Sequence, residues 1–133
     1  MNATTLPKTV AVIGTGVIGN GWIARALAAG CRVTAFDPDP AAAARTRAFV
    51  ERAWPSLERL GLADDADPKA LTFVDSLEAA VKGAELIQEN VPERLALKHD
   101  VLSQLDALAE PDVVIGSSTS GIKPRMRKCE KLG

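Results

Sequence analysis

Apolar residues along the chain come in short bursts separated by polar or glycine-rich turns, and the bursts alternate between two spacings. Val10-Ala11-Val12-Ile13 is a continuous apolar run, rich in β-branched residues, of the kind that forms a parallel strand buried on both faces. Ile18, Trp22, Ile23, Ala26 and Leu27 then recur at helical spacing. Arg32-Val33-Thr34-Ala35-Phe36 reads as a second strand. Pro40 to Leu60 has Ala-rich helical composition. An interruption is expected near Trp54-Pro55, because proline disfavours helix at the residue before it. Gly61 to Asp67 is turn-rich, and Leu71-Thr72-Phe73-Val74 is strand-like. Ser76 is placed to cap a short helix that runs to Val81, and Gly83 to end it. Leu86-Ile87-Gln88-Glu89 gives another strand. Pro92 to Leu108 is the clearest later helix, with Leu95, Leu102, Leu105 and Leu108 on one side. Pro111-Asp112 precedes the last strong strand, Val113-Val114-Ile115-Gly116. Strands alternating with helices predict an α/β fold with a mostly parallel sheet covered on both faces.

The link between the first strand and the first helix carries the chemistry. It reads Gly14-Thr15-Gly16-Val17-Ile18-Gly19, and the second strand ends at Asp37, roughly 20 residues on. Strand, glycine turn, helix, strand and acidic residue together form the dinucleotide-binding fingerprint, so the fold class becomes Rossmann-type and doubly wound. Gly14 permits the tight turn, Gly16 lets a pyrophosphate approach the backbone, and Gly19 lets the helix lie close on the strand. Thr15, Val17 and Ile18 complete the phosphate-facing turn, where the helix N-terminus offers N–H groups and positive dipole. The Asp37 carboxylate can accept from an adenosine ribose hydroxyl and would repel a 2′-phosphate. No Arg or Lys stands in Pro38-Asp39-Pro40-Ala41, so NAD is expected rather than NADP. The plainer alternative is a strand–helix turn without a ligand.

Composition narrows the class further. A chain of 133 residues is long enough for one domain with its own core. A net charge of −1 provides no global basic field, so neither nucleic acid nor an anionic membrane is an expected partner. The two cysteines, Cys31 and Cys129, lack paired-ligand spacing, and no metal site is expected. Cys31, at the entrance to a buried strand, reads as a small core residue. Met1-Asn2-Ala3-Thr4-Thr5 is not a signal peptide, and no apolar stretch reaches membrane-spanning length. The cytoplasm is the expected location.

Two later segments are more specific than the glycine turn. Ile87-Gln88-Glu89-Asn90-Val91-Pro92-Glu93-Arg94-Leu95-Ala96-Leu97-Lys98 and Ile115-Gly116-Ser117-Ser118-Thr119-Ser120-Gly121 resemble the 3-hydroxyacyl-CoA dehydrogenase family. In that family a Val-x-Glu-Asn-like turn and an Asn/Ser-Thr-Ser loop follow successive strands of the NAD domain. Within it, Ala53-Trp54-Pro55-Ser56-Leu57, Gly61-Leu62, the run from Gln88 to Arg94 and Ser117 to Gly121 look most like the carnitine-oxidising branch. The resemblance covers about residues 8 to 122. It implies that Asn90 and Glu93 line the nicotinamide-ribose side of the cleft, with Lys98 near that ribose. It also places Ser118 where the acyl-CoA enzymes have a cofactor-contacting Asn, and Ser120 where a serine hydrogen-bonds the reacting substrate oxygen. Each residue has a plainer role open to it: Glu93 as a dipole-favoured first-turn acid, Lys98 as a solvated helix residue, and the serines as turn caps.

The departures bear on activity. Hydride removal from a secondary alcohol needs a base for the hydroxyl proton. In the resembled family this is a His, paired with a Glu, in a segment later than the Ser-Thr-Ser loop. The single histidine here, His99, lies next to Lys98 in a predicted helix and does not match that position. The Rossmann domain therefore reads as truncated before the catalytic His, and the chain alone is expected to turn over little or nothing. Residues 1–7 read as a lead-in and 8–122 as the NAD-binding domain. Residues 123–133, with Arg125-Met126-Arg127-Lys128, read as an atypical basic tail, expected to be disordered. The expected substrate is L-carnitine or a related 3-hydroxy acid, and full-length relatives are expected to be homodimers. A fatty-acid-type 3-hydroxyacyl-CoA dehydrogenase and a non-catalytic NAD-binding module remain the alternatives.

Overall fold

A computed structural model describes residues 8–90, 95–110 and 113–117, with side chains from 8–90, 100–110 and 113–116. The proposed lead-in, the basic tail and Cys129 lie outside these residues. Among the described residues five strands and four helices alternate: β1 Thr9–Ile13, α1 Val17–Ala28, β2 Arg32–Phe36, α2 Ala42–Leu60, β3 Leu71–Phe73, α3 Leu77–Val81, β4 Leu86–Glu89, α4 Leu95–Leu108 and β5 Val114–Ser117. The strands form one sheet in the order β3-β2-β1-β4-β5, and every pairing is parallel. This is the Rossmann-type α/β fold that the sequence pattern predicts.

The apolar run in β1 explains the layering. Side chains alternate across a strand, so consecutive apolar residues supply both faces. Val10 and Val12 join Ile23, Leu27, Val33, Val50 and Leu71 in a core under α1 and α2. Ala11 and Ile13 join Ala80, Val81, Leu102, Leu105 and Ile115 in a second core under α3 and α4. The chain leaves β1 toward β2 and β3, then crosses back to place β4 on the other side of β1. That reversal opens a crevice at the carboxyl ends of β1 and β4, where open α/β sheets bind ligands.

Most predicted elements stand at their predicted places, including the Ser76 cap, whose Oγ accepts from Ala79 N at 3.0 Å. Gly83 follows that helix with φ +75°. Four details differ from the sequence pattern. Helix α2 runs unbroken through Pro55. The proline removes the donor to the Glu51 carbonyl, but Glu51 and Pro55 are both exposed, so water can take its place. Trp54 and Leu57 meanwhile pack against the first core and hold the helix on course. On α1, Ile18 and Trp22 share the helical spacing but are 59% and 42% exposed, whereas Ile23, Ala24 and Leu27 are buried. On α4, Leu102 and Leu105 are buried while Leu108 is 39% exposed, and Ala109 occupies the core position in its stead. The last strand starts one residue later than predicted and includes Ser117.

The α4 result gives a direct test. Leu105→Ala is expected to cost about 2–5 kcal/mol by leaving a cavity. Leu108→Ala, on the same helix and chemically identical, is expected to cost under about 1 kcal/mol. Urea denaturation of the two variants beside the parent checks this, and equal losses would contradict the burial pattern.

Candidate functional site

The three glycines of the turn differ in what the fold demands of them. Gly14 has φ +91°, a left-handed conformation that side chains disfavour, and its N–H donates to Phe36 O at 2.9 Å. A Cβ at Gly19 would overlap the Gly14 carbonyl, so only glycine lets α1 lie this close to β1. Gly16 is under neither constraint. Its φ is −75°, and a Cβ there would meet nothing within 4 Å. Gly16 is the N-cap of α1 and makes no side-chain cap bond, and the first turn holds no acidic residue. Among the described residues no acceptor meets the N–H groups of Gly16, Val17, Ile18 or Gly19. The result is a set of donors with positive dipole behind them, opening onto space that Gly16 leaves clear.

Asp37 stands at the end of β2, beside this turn. Its Oδ2 accepts from Thr15 N at 2.9 Å and from Thr15 Oγ1 at 3.0 Å, and its Oδ1 accepts from Asp39 N at 2.9 Å. Asp39 in turn accepts from Ala41 N at 2.9 Å and pairs with Arg45 at 2.8 Å. The Ala41 N–H first, and then the Arg45 guanidinium, hold the Asp39 carboxyl below its ordinary range. Arg45 and Arg52 share with Thr15, Gly16, Val17 and Asn20 a groove of about 410 Å³. The sequence window after Asp37 contained no cation. Folding of α2 brings two to the turn, one already paired with Asp39.

Across the crevice, β4 ends in two polar residues, Gln88 and Glu89, and Asn90 follows. Glu89 is fully buried and lies in register with Ile13 on one side and Ser117 on the other. Asn90 N donates to Ile13 O at 2.7 Å, which carries the ladder to the strand end. Gln88 Nε2 donates to Asn90 Oδ1 at 3.2 Å. Asn90 Nδ2 is buried and has no hydrogen-bond partner among the described residues; it would lie 3.4 Å from a Cβ at Gly19. The crevice thus brings Asn90 close to the glycine turn. Glu93, Ser118 and Ser120 lie outside the described residues, as do the side chains of Lys98 and His99 in α4.

Sequence reasoning missed three polar features. Thr46 Oγ1 donates to Asn20 Oδ1 at 2.7 Å in a buried bond that ties α2 to α1. The burial of Glu89 and Thr15 was not anticipated either. A polar residue at a strand end reads alike whether it faces water or a cleft, so only the terminal position of Glu89 hinted at a role. Cys31 is buried as expected, and burial first, then the Asp65 and Glu85 carboxylates, push its thiol up, away from a reactive thiolate. Among the described residues no group of His, Cys, Asp and Glu could hold a metal, and no helix is long and apolar enough to cross a membrane.

Comparison with known proteins agrees with this geometry. Residues 9–128 match the 3-hydroxyacyl-CoA dehydrogenase, NAD binding domain family. The L-carnitine dehydrogenase of Oceanobacillus iheyensis is 62% identical over 117 residues, covering 88% of this chain and 38% of that protein. Those of Streptomyces coelicolor and Pseudomonas aeruginosa are 56% and 54% identical, covering 86% and 93% of this chain. The chain thus spans only 36% to 39% of the length of these three relatives. Among solved structures, the NAD-dependent 5-formyl-3-hydroxy-2-methylpyridine 4-carboxylic acid 5-dehydrogenase superposes with a TM-score of 0.77 at 37% identity, covering 88% of this chain and 38% of that one. The 3-hydroxybutyryl-CoA dehydrogenase of Escherichia coli gives 0.74 at 28% identity, covering 87% and 25%. The cofactor is NAD.

The different standing of the glycines is testable by calorimetry and melting curves. Gly16→Ala is expected to melt as the parent does yet lose about tenfold or more in NAD affinity, the worth of roughly one charge-assisted hydrogen bond. Gly19→Ala is expected to lower stability by about 1–3 kcal/mol even without ligand, because backbone must shift. A Gly16→Ala chain with parental NAD affinity would remove that position from the site.

Proposed function

Because this chain belongs to the 3-hydroxyacyl-CoA dehydrogenase family through its NAD-binding domain, we propose that residues 8–122 are the cofactor half of an L-carnitine-oxidising enzyme. The reaction is oxidation of the 3-hydroxyl to 3-dehydrocarnitine. One observation carries the cofactor part: N–H groups at the switch point that have no acceptor among the described residues, beside the space left open at Gly16. The substrate part rests on relatives 54% to 62% identical that are named L-carnitine dehydrogenase.

In this reading the amides of Gly16 to Gly19 hold the pyrophosphate, Gly14 shapes the turn, and Asp37 accepts from the adenosine ribose. Asn90 and Glu93 flank the nicotinamide ribose with Lys98 near it, Ser118 contacts the cofactor, and Ser120 hydrogen-bonds the substrate oxygen. Bound NAD supplies the hydride acceptor. The hydroxyl proton still needs a base, and His99 in α4 does not match the family's basic histidine. The chain alone therefore binds NAD without turning over carnitine. Residence in the cytoplasm and assembly of the full-length enzyme as a homodimer belong to the same proposal.

The test is titration of the purified chain with NAD and NADP by calorimetry, followed by L-carnitine with absorbance monitored for NADH. Tighter binding of NAD than NADP, a melting temperature raised by NAD and no NADH are the expected results. Absence of NAD binding would overturn the cofactor reading, and NADH formation would mean that the chain holds a base. Asp37→Ala is expected to weaken NAD by about tenfold and narrow the preference over NADP, on the scale of a hydrogen bond to a charged group. An unchanged affinity would take Asp37 out of the site.

A further inference from the structure

Thr15 is the middle residue of Gly14-Thr15-Gly16, a position where the glycine-turn pattern accepts any residue. It is nevertheless only 1% exposed. Both of its donors go to a single atom: the N–H reaches Asp37 Oδ2 at 2.9 Å and the hydroxyl reaches the same oxygen at 3.0 Å. A carboxylate offers about four lone-pair sites, two on each oxygen. Thr15 fills both on Oδ2, and Asp39 N fills one on Oδ1 at 2.9 Å. A single site on Oδ1 is left.

We propose that Thr15 is a positioning residue for cofactor choice, locking Asp37 so that its one remaining acceptor site faces the ribose. The inference rests on the NAD reading of the turn and deepens it. A carboxylate held at one oxygen by two donors, and at the other by a third, cannot rotate aside. It offers a ribose hydroxyl one acceptor and a 2′-phosphate only negative charge. The lock extends outward, because Asp39, whose N–H holds Oδ1, also pairs with Arg45 at 2.8 Å. Arg45 and Arg52 both line the groove beside Thr15 and Gly16. A loosened Asp37 could swing away and leave Asp39 and Arg45 to rearrange around a phosphate. Thr15 thus keeps two nearby cations from turning the site toward NADP.

The test uses Thr15→Val, which keeps the shape and the N–H but removes the hydroxyl, and Thr15→Ser, which restores it. Affinities for NAD and NADP are measured by calorimetry on the full chain, with ligand-free melting alongside. Thr15→Val is expected to reduce the preference for NAD over NADP by about tenfold, the scale of one hydrogen bond to a charged group, while Thr15→Ser keeps the parental preference. Should Thr15→Val melt too low to titrate, Thr15→Cys keeps the bulk with only a weak donor and is expected to shift the preference in the same direction. An unmoved preference in the hydroxyl-free variant, or equal weakening of NAD and NADP, would show that Thr15 merely packs the turn and would overturn the proposal. A parent chain that binds neither dinucleotide would overturn the cofactor reading and this inference together. A parent that binds NAD while the variants keep its preference would overturn this inference alone.

Discussion

The distance between α1 and β1 governs the whole site. Gly19 lies against the Gly14 carbonyl so closely that a single methyl group would not fit. The closeness continues along the helix, where Ile23, Ala24 and Leu27 reach the core that Val10 and Val12 supply from the strand. It also aims the N-terminus of α1 at the point where the strand order reverses, between β1 and β4. A helix held further out would still bury apolar surface, but its free N–H groups would open into bulk water. Close contact turns an ordinary helix end into a directed set of donors.

A second constraint is electrostatic. Asp37 and Asp39 place two carboxylates beside a turn whose open donors favour negative charge. Each is satisfied locally: Asp37 by Thr15 and the Asp39 N–H, Asp39 by the Ala41 N–H and Arg45. The carboxylates therefore have little call on the N–H groups of Gly16 to Gly19, which stay available. The Arg45–Asp39 pair is exposed, so it adds little stability by itself. Its consequence is spatial, since it decides where a cation sits relative to the turn.

What could be read from the sequence follows the range of the interactions involved. The strand run Val10 to Ile13, the glycine turn, the Ser76 cap and Asp37 at a strand end are local patterns, and each stands where its pattern put it. Features set by distant contacts were not legible. Pro55 reads locally as a helix breaker, yet Trp54 and Leu57 on either side pack against the first core and carry α2 through it. Ile18, Trp22 and Leu108 satisfy helical spacing as well as their buried neighbours do, but the sheet reaches only one stripe of each helix. Arg45 escaped notice because its approach to the turn depends on how α2 folds back, eight positions beyond Asp37 by the numbering. The Thr15 bond to Asp37 spans 22 positions, and the Thr46 bond to Asn20 spans 26.

The most telling residue is the one that the fold does not explain. Gly14 is accounted for by its backbone angle and Gly19 by a carbonyl in contact, so both would be glycine in a turn without a ligand. Gly16 has an ordinary angle and empty space where a side chain would project. Alanine would meet neither strain nor a clash there, so no packing demand inside the molecule calls for glycine. In the reading proposed above, it makes room for a group that must come closer to the backbone than a methyl would allow. The N–H groups that follow it, without acceptors among the described residues, favour an anion, and in that reading the pyrophosphate of NAD meets both requirements.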